Sequence, residues 1–356
     1  MTPPETSRPI RLALQGGGSH GALAWGVLDR LLQDPRLHID QISGTSAGAM
    51  NAVVLAAAYE SGGPEGARAA LASFWEAISE AARFSPMQPA PWDRLLGNDS
   101  LDNSPAYLML DGLSRMFSPY ELNPLGLNPL QDLVAEHVDF TALNRCKAIR
   151  VHVTATSVRT GQARTFSTGE LSADAVMASA CLPQMYKAVE IDGEAYWDGG
   201  FSANPAIFPL VGDGGSNDVL IVQLNPMIRD EIPRTAREII NRMNEISFNT
   251  SLLKELRTLD LLRQLSEQGR VDLRGEVRLH MIHCGEDLRE LAASSKMNAD
   301  WSYLQKLFER GRAWADDWLE RHFDDVGQRS SFSLERLFSP HHRPGGLAPL
   351  TPRDVA

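Results

Sequence analysis

Residues 12–26, LALQGGGSHGALAWG, run from an apolar strand into a knot of glycines and then into helical spacing. Leu23, Val27, Leu28, Leu31 and Leu32 recur on one helical face, and Pro35 ends the pattern. A second unit of the same kind follows at once. His38–Ile42 reads as a strand, GTSAG (residues 44–48) as a sharp turn, and the small-residue run after it as a buried helix ending at Gly62–Pro64. PEGARAALASFWEAISE then opens another helix with proline in its first turn. Strand, helix, strand, helix with short links predicts parallel strands with helices on the faces, an α/β fold.

Further along, the pattern loosens and then returns. From Phe84 to about Pro129, prolines, leucines and methionines occur with little periodicity, which predicts an irregular cap carrying one short helix. AIRVHVTATSV (148–158) is the clearest strand, and a turn at RTGQ leads into ARTFS. A helix over Ser172–Ala180 follows, and EIDGEAYWDGG reads as a hairpin turning at Asp192-Gly193. DVLIVQL and EVRLHMIHC are two more strands, separated by a long amphipathic helix from about Pro233 to Leu265. A last helix covers roughly Ala299–Phe323. The expected organisation is a flexible N-terminus over 1–9 and one folded unit over 10–325. Within that unit the cap covers about 84–129 and a helical C-terminal part about 233–325. A disordered tail is expected over 326–356.

Composition narrows the function. The chain has 356 residues, 43% apolar and 22% charged, enough for a substantial core. Its net charge of −11 argues against nucleic acid as a partner and gives no general attraction to anionic lipid. Any membrane contact has to be local and apolar. No apolar run approaches the roughly 20 residues of a membrane span, and MTPPETSRPIRLAL lacks the features of a secretory signal. The three cysteines, Cys146, Cys181 and Cys284, are too few and too widely spaced for a disulfide framework or a zinc site. A reducing cytoplasm is the expected compartment, and no metal or cofactor is expected.

Gly44-Thr45-Ser46-Ala47-Gly48 is G-x-S-x-G between a predicted strand and a predicted helix. A nucleophilic serine needs such a turn, with small residues two before and two after it. The helix behind it offers its N-terminal amides, that of Ala47 first, to a developing negative charge. The same pentapeptide can also be a tight turn with Ser46 as a helix cap. If Ser46 attacks an ester, the carbonyl oxygen needs donors already in place, and consecutive glycines bare their N–H groups. The glycine knot and the serine turn therefore make sense together.

Gly16-x-Gly18-x-x-Gly21 also fits a dinucleotide-binding turn, with Asp40 about where a ribose-binding acid falls. Against it, the second strand runs on past Asp40 into the serine turn. For a base, His283 would complete a Ser–His arrangement, but Ser46 follows only the second strand, too early for an α/β-hydrolase. Asp198, followed by two glycines, is either a turn former or a carboxylate able to approach Ser46. A free aspartate, near pKa 3.9, is a weak base, and partial burial beside Trp197 would strengthen it.

GGGSHG, GTSAG and DGG, in that order, resemble the patatin-like phospholipases, as do ASACLP (178–183) and Asn204-Pro205. The likeness covers about residues 10–225. It implies a three-layer α/β/α sandwich with a mainly parallel central sheet, plus a helical C-terminal extension. It also implies a Ser–Asp dyad, with Ser46 as nucleophile and Asp198 as general base, and an oxyanion loop of Gly16, Gly17 and Gly18. The implied activity is lipid acyl hydrolysis of the phospholipase A, lysophospholipase or esterase type, with glycerides or storage polyesters as alternative esters. One departure is His20, where the family usually has Arg or Lys, so any cationic help there should be weaker or pH-dependent.

Weaker signals have plainer readings. Cys181 reads as a small buried filler rather than a nucleophile, and His341 and His342 as tail residues. Arg150, Arg159 and Arg164 could meet a phosphate headgroup but read first as solvated or ion-paired. The Phe84–Pro129 region is expected to cover the core, with an acyl pocket or a membrane surface as the other possibilities.

Overall fold

A computed structural model of the chain describes residues 7–338, apart from 84, 86, 91, 94–96, 213–215, 230, 272–276 and 284–292. Its strands are β1 (Arg8–Leu14), β2 (Leu37–Gly44), β3 (Arg150–Ser157), β4 (Ala163–Ser167), β5 (Val189–Ile191), β6 (Glu194–Asp198), β7 (Asp218–Val222) and β8 (Arg278–Ile282). The first helices are α1 (Gly21–Leu32), α2 (Ala47–Ala82), α3 (Pro105–Ser114), α4 (Pro119–Leu122) and α5 (Pro129–His137). After them come α6 (Phe140–Leu143), α7 (Ala173–Ser179), α8 (Ala236–Glu267), α9 (Trp301–His322) and α10 (Leu334–Phe338).

The strands form one sheet in the order β5-β6-β3-β2-β1-β7-β8, with β4 also pairing to β3. From β3 to β8 the neighbours run parallel, while β4, β5 and β6 are antiparallel additions at the β3 side. Side chains alternate across a strand, and the core divides accordingly. Leu12 and Leu14 of β1, with Leu220 and Val222 of β7, pack among α1, α2 and α9. Ala13, Val219 and Ile221 face the other way and pack against Leu252 and Leu256 of α8 and Leu334 of α10. Helices thus cover both faces of the sheet, giving the three-layer α/β/α sandwich. Arg11, in the middle of β1, is buried; its guanidinium donates to Leu210 O and lies 3.7 Å from Asp40.

Gly63, at φ 60 and ψ −157, breaks the helical geometry of α2, and Pro64 starts it again, so α2 is the two expected helices meeting at a kink. Where α1 and α9 cross, a Cβ on Gly26 would strike Phe308 O, and one on Gly311 would strike Leu23 O. That close approach fixes α1, which begins at Gly21 directly after the glycine knot.

Three expectations change. The cap holds α3 and α4, not one helix, and α5 begins at its end. Pro105, Pro119 and Pro129 read as breakers in the sequence, yet each lies in the first turn of its helix, where the missing N–H costs nothing. The tail expected from 326 onward is folded as far as Phe338. Ser331 N and Phe332 N donate to Leu279 O, closing the outer edge of β8, and Leu334 is buried. Likewise Arg8, expected in a flexible terminus, is in β1 and donates to Phe323 O. Residues 1–6, Cys284, His341 and His342 lie outside the described residues.

Candidate active site

The two strand-to-helix turns open side by side at the C-terminal edge of the sheet, where Leu14 of β1 is in register with Gly44 of β2. This is the edge at which parallel α/β sheets place their sites. Ser46 stands between β2 and α2 at φ 55 and ψ −121, a backbone conformation rare for any residue with a side chain. Three bonds hold it there. Thr45 N donates to Leu14 O at 3.2 Å, Thr45 Oγ1 donates to Ala203 O at 2.8 Å, and Ser46 N donates to Ser179 Oγ at 2.9 Å. Ser179, at the end of α7, is itself held by its hydroxyl's bond to Thr154 O at 2.6 Å. A Cβ on Gly44 would collide with Gly48 O, and one on Gly48 with Leu14 O, so the spacing of the pentapeptide is a steric requirement.

Asp198 ends β6, which pairs with β3, the neighbour of β2. That path through the sheet brings together residues 152 positions apart in the chain. The Ser46 side chain comes near enough to the Asp198 carboxylate to pull its pKa down, and Gly200 N donates to Asp198 Oδ1 at 2.7 Å. Burial raises the carboxyl to about 7, against the pull of Gly200 N and Ser46. Adjacent strand residues face opposite sides, so this enclosure does not come from stacking on Trp197. Phe248 of α8 sits where a Cβ on Gly200 would be, and its ring lies 5.3 Å from that of Phe201. Together the two rings make an apolar wall beside the carboxylate.

The glycine loop lies against the serine: a Cβ on Gly16 would stand 2.9 Å from Ser46 Cβ. The four expected oxyanion donors are not equivalent. Gly16 N is already used, donating to Asn204 Oδ1 at 2.7 Å, which corrects its expected role. The amides of Gly17, Gly18 and Ala47 donate no hydrogen bond among the described residues. Gly18 has φ 58 and packs against Lys296 O, two conditions that only glycine meets easily.

His20 is buried, with Nε2 2.9 Å from Ser295 Oγ; burial, and then the nearby Lys296, lower it to about 3. It carries no charge near neutrality, so the pH-dependent help expected of it is absent. Asp40 lies inside β2, pairs with Arg11 and accepts from Ser216 N, away from the glycine turn that a dinucleotide would use. Cys181 is buried and pushed up to about 12, by burial first and Asp198 second, which leaves it a thiol. Arg159 and Arg164 pair with Glu194 and Glu170. Among the described residues, no three His, Cys, Asp or Glu side chains gather to hold a metal ion.

Ser179 and Asn204 lie in stretches noted for their resemblance, but nothing in their residue types or spacing pointed to their work. Asn204 is fully buried; Oδ1 serves Gly16, and Nδ2 has no partner among the described residues. Asn225 and Lys296 carried no signal at all.

Residues 12–211, more than half of the chain, match the family described as Patatin-like phospholipase. The chain belongs to the patatin-like phospholipase family. The match takes in the glycine loop, the serine turn, the DGG and Asn204. No curated protein matches the sequence. Among solved structures, VipD from Legionella pneumophila is 13% identical with a TM-score of 0.35, over 85% of this chain and 67% of VipD. The type III effector ExoU is 15% identical with a TM-score of 0.38, over 89% of this chain and 53% of ExoU. ExoU of Pseudomonas aeruginosa in its complex with SpcU is 17% identical with a TM-score of 0.37, again over 89% and 53%. The patatin-like chain described here thus spans about half the length of ExoU.

Proposed function

We propose that this patatin-like protein is a serine acyl hydrolase of lipid esters, working through Ser46 and Asp198. The observation that carries the reading is a strained, buttressed serine beside a buried carboxylate raised to about 7, with uncommitted amides near them. Asp198 takes the proton of the Ser46 hydroxyl as Oγ attacks the acyl carbonyl, and the amides of Gly17, Gly18 and Ala47 hold the oxyanion. Collapse of this intermediate forms the acyl-enzyme, and the leaving alkoxide takes the proton from Asp198. A water molecule then gives its proton to Asp198 and attacks the acyl carbon; the fatty acid departs, and the proton returns to Ser46. Both half-reactions use one carboxylate, which has to be ionised at their start.

The Phe201–Phe248 wall suits an acyl chain, which favours lipid esters over small polar ones. The cap adds a route to a membrane surface. Met109, Met116, Leu125 and Leu127 are exposed there, while Leu101 N donates to Ser294 Oγ and Lys187 Nζ to Pro124 O. Those two contacts rest the cap on the segment touching Gly18 and on the loop between Cys181 and β5. Among the described residues no helix is long and apolar enough to cross a membrane, so the contact proposed is peripheral.

The test is labelling by a fluorophosphonate, with hydrolysis of phospholipids, lysophospholipids, glycerides and short-chain esters read by mass spectrometry. The expected result is labelling at Ser46 and acid release, both lost in Ser46→Ala and Asp198→Asn. Full turnover in either variant refutes the dyad. Turnover of glycerides alone would move the substrate to the neutral esters.

A further inference from the structure

The amides on which the proposed function depends are aimed by bonds on the far side of their own peptides. A peptide unit is planar and trans, so its C=O and N–H point in opposite directions. Pinning the Gly16 carbonyl therefore fixes the direction of Gly17 N–H, and pinning the Gly17 carbonyl fixes Gly18 N–H. Both carbonyls are pinned: Asn225 Nδ2 donates to Gly16 O at 2.9 Å, and His20 N donates to Gly17 O at 3.2 Å. The second bond belongs to the turn itself. The first depends on a side-chain amide that works only one way round.

Two neighbours set which way round that is: Gln15 Oε1 accepts from Asn225 Nδ2 at 3.2 Å, and the oxygen end is held by Lys296. Its Nζ donates to Asn225 Oδ1 at 2.5 Å. An ammonium has only donors to offer, so it accepts the oxygen end of the amide and rejects the nitrogen end. Nδ2 is left facing Gly16 O. The lysine's backbone adds to the effect, because Lys296 O packs against Gly18. Its charge reaches the loop as well, since Lys296 helps to lower His20. The turn carrying it, Ala293–Met297, lies far outside the matched motifs, near the start of α9.

We propose that Lys296 is a positioning residue of the hydrolytic site: through Asn225 it orients the Gly16–Gly17 peptide and keeps its N–H aimed at the oxyanion. This rests on the reading of Gly17 as an oxyanion donor. A loss confined to the transition state should lower kcat and leave KM nearly unchanged.

The experiment measures kcat and KM on a soluble p-nitrophenyl ester for Lys296→Met, Lys296→Arg, Asn225→Leu and the Lys296→Met/Asn225→Leu pair, with Ser46→Ala alongside. Lys296→Met is expected to lose on the order of 10-fold or more in kcat, the scale of a misaimed oxyanion donor. Arginine, which keeps a charged donor, should recover most of that loss. In the Asn225→Leu background, Lys296→Met should cost nothing further, because the two act in series. If Lys296→Met does not fold, Lys296→Gln takes its place, with the same expectation and the same cycle. Full kcat without the ammonium, losses that simply add, or an arginine variant as impaired as methionine would overturn the inference. Hydrolysis surviving Ser46→Ala would instead remove the dyad beneath it, and the two failures are read in separate variants.

Discussion

At the scale of single residues, the decisive quantity is the affinity of Asp198 for a proton. A carboxyl at about 7 is half ionised near neutrality, and in the proposed reaction only the ionised form accepts the serine proton. On an uncharged ester, kcat/KM should therefore rise with pH through a single ionisation near 7, measured by initial rates from pH 5 to 9. A rate flat from pH 5 upward would mean that the base is an ordinary carboxylate. The same shift has a cost in stability. The folded-state pKa lies above the unfolded value of about 3.9, so the folded state holds a proton that the unfolded chain has released. Stability falls as pH rises from about 4 through about 7, and the penalty is complete above that. Asp198→Asn removes it. The variant should melt higher than the parent at pH 8, with the advantage shrinking toward pH 4, as calorimetry across that range will show. Ser46 and Asp198 were legible because their neighbours must be small, and small residues leave a pattern. That burial would raise the carboxyl was expected, but its source in distant chain was not legible.

At the scale of elements, the serine turn is a strained joint that its own sequence does not support alone. GTSAG gives the space for the turn, but Ser179, from the end of α7, supplies the acceptor for the Ser46 amide. Ser179→Ala strands that amide and also removes the hydroxyl's bond to Thr154 O. The expected loss is roughly 1–3 kcal/mol of stability, by denaturant titration. A lower kcat should accompany it as Ser46 relaxes from its strained φ; unchanged values in both would show that the joint holds itself. The glycine loop follows the same rule. Its glycines announced a row of amides, yet Asn204 takes the Gly16 amide and Asn225 pins the Gly16 carbonyl, side chains with no fixed spacing from the loop. Parallel strands and their helices were legible from periodicity, since both faces of the sheet are covered. The cap helices were not, because proline marks a helix start and a helix break with the same letter.

At the scale of the whole molecule, the two edges of the sheet do different work. The C-terminal edge carries the site; the opposite edge carries a buried cluster that closes the fold. There His280 Nδ1 lies 2.8 Å from Ser331 Oγ and its Nε2 lies 3.0 Å from Asp218 Oδ1, a Ser–His–Asp order unlike the Ser–Asp pair of the candidate site. It is built for holding rather than for turnover. His280 is fully buried, and Asp218 also accepts from Arg278 and from Gly327 N. The cluster fastens residues 326–338 to β7 and β8, a stretch whose sequence reads as tail because its order comes from partners some 50 and 110 positions away. Burial by itself would raise Asp218, but the bonds from His280, Arg278 and Gly327 outweigh it and take the carboxyl to about 2. Its folded pKa thus lies below the unfolded one, so the stability it contributes is present above about pH 4 and drains away as pH falls toward 2. A shift of this size is worth roughly 2 kcal/mol. Asp218→Asn should lower stability by about that much at pH 7 and by far less near pH 2, with protease cleavage appearing first in 326–338. Equal losses at both pH values would mean that shape, not charge, is what Asp218 provides.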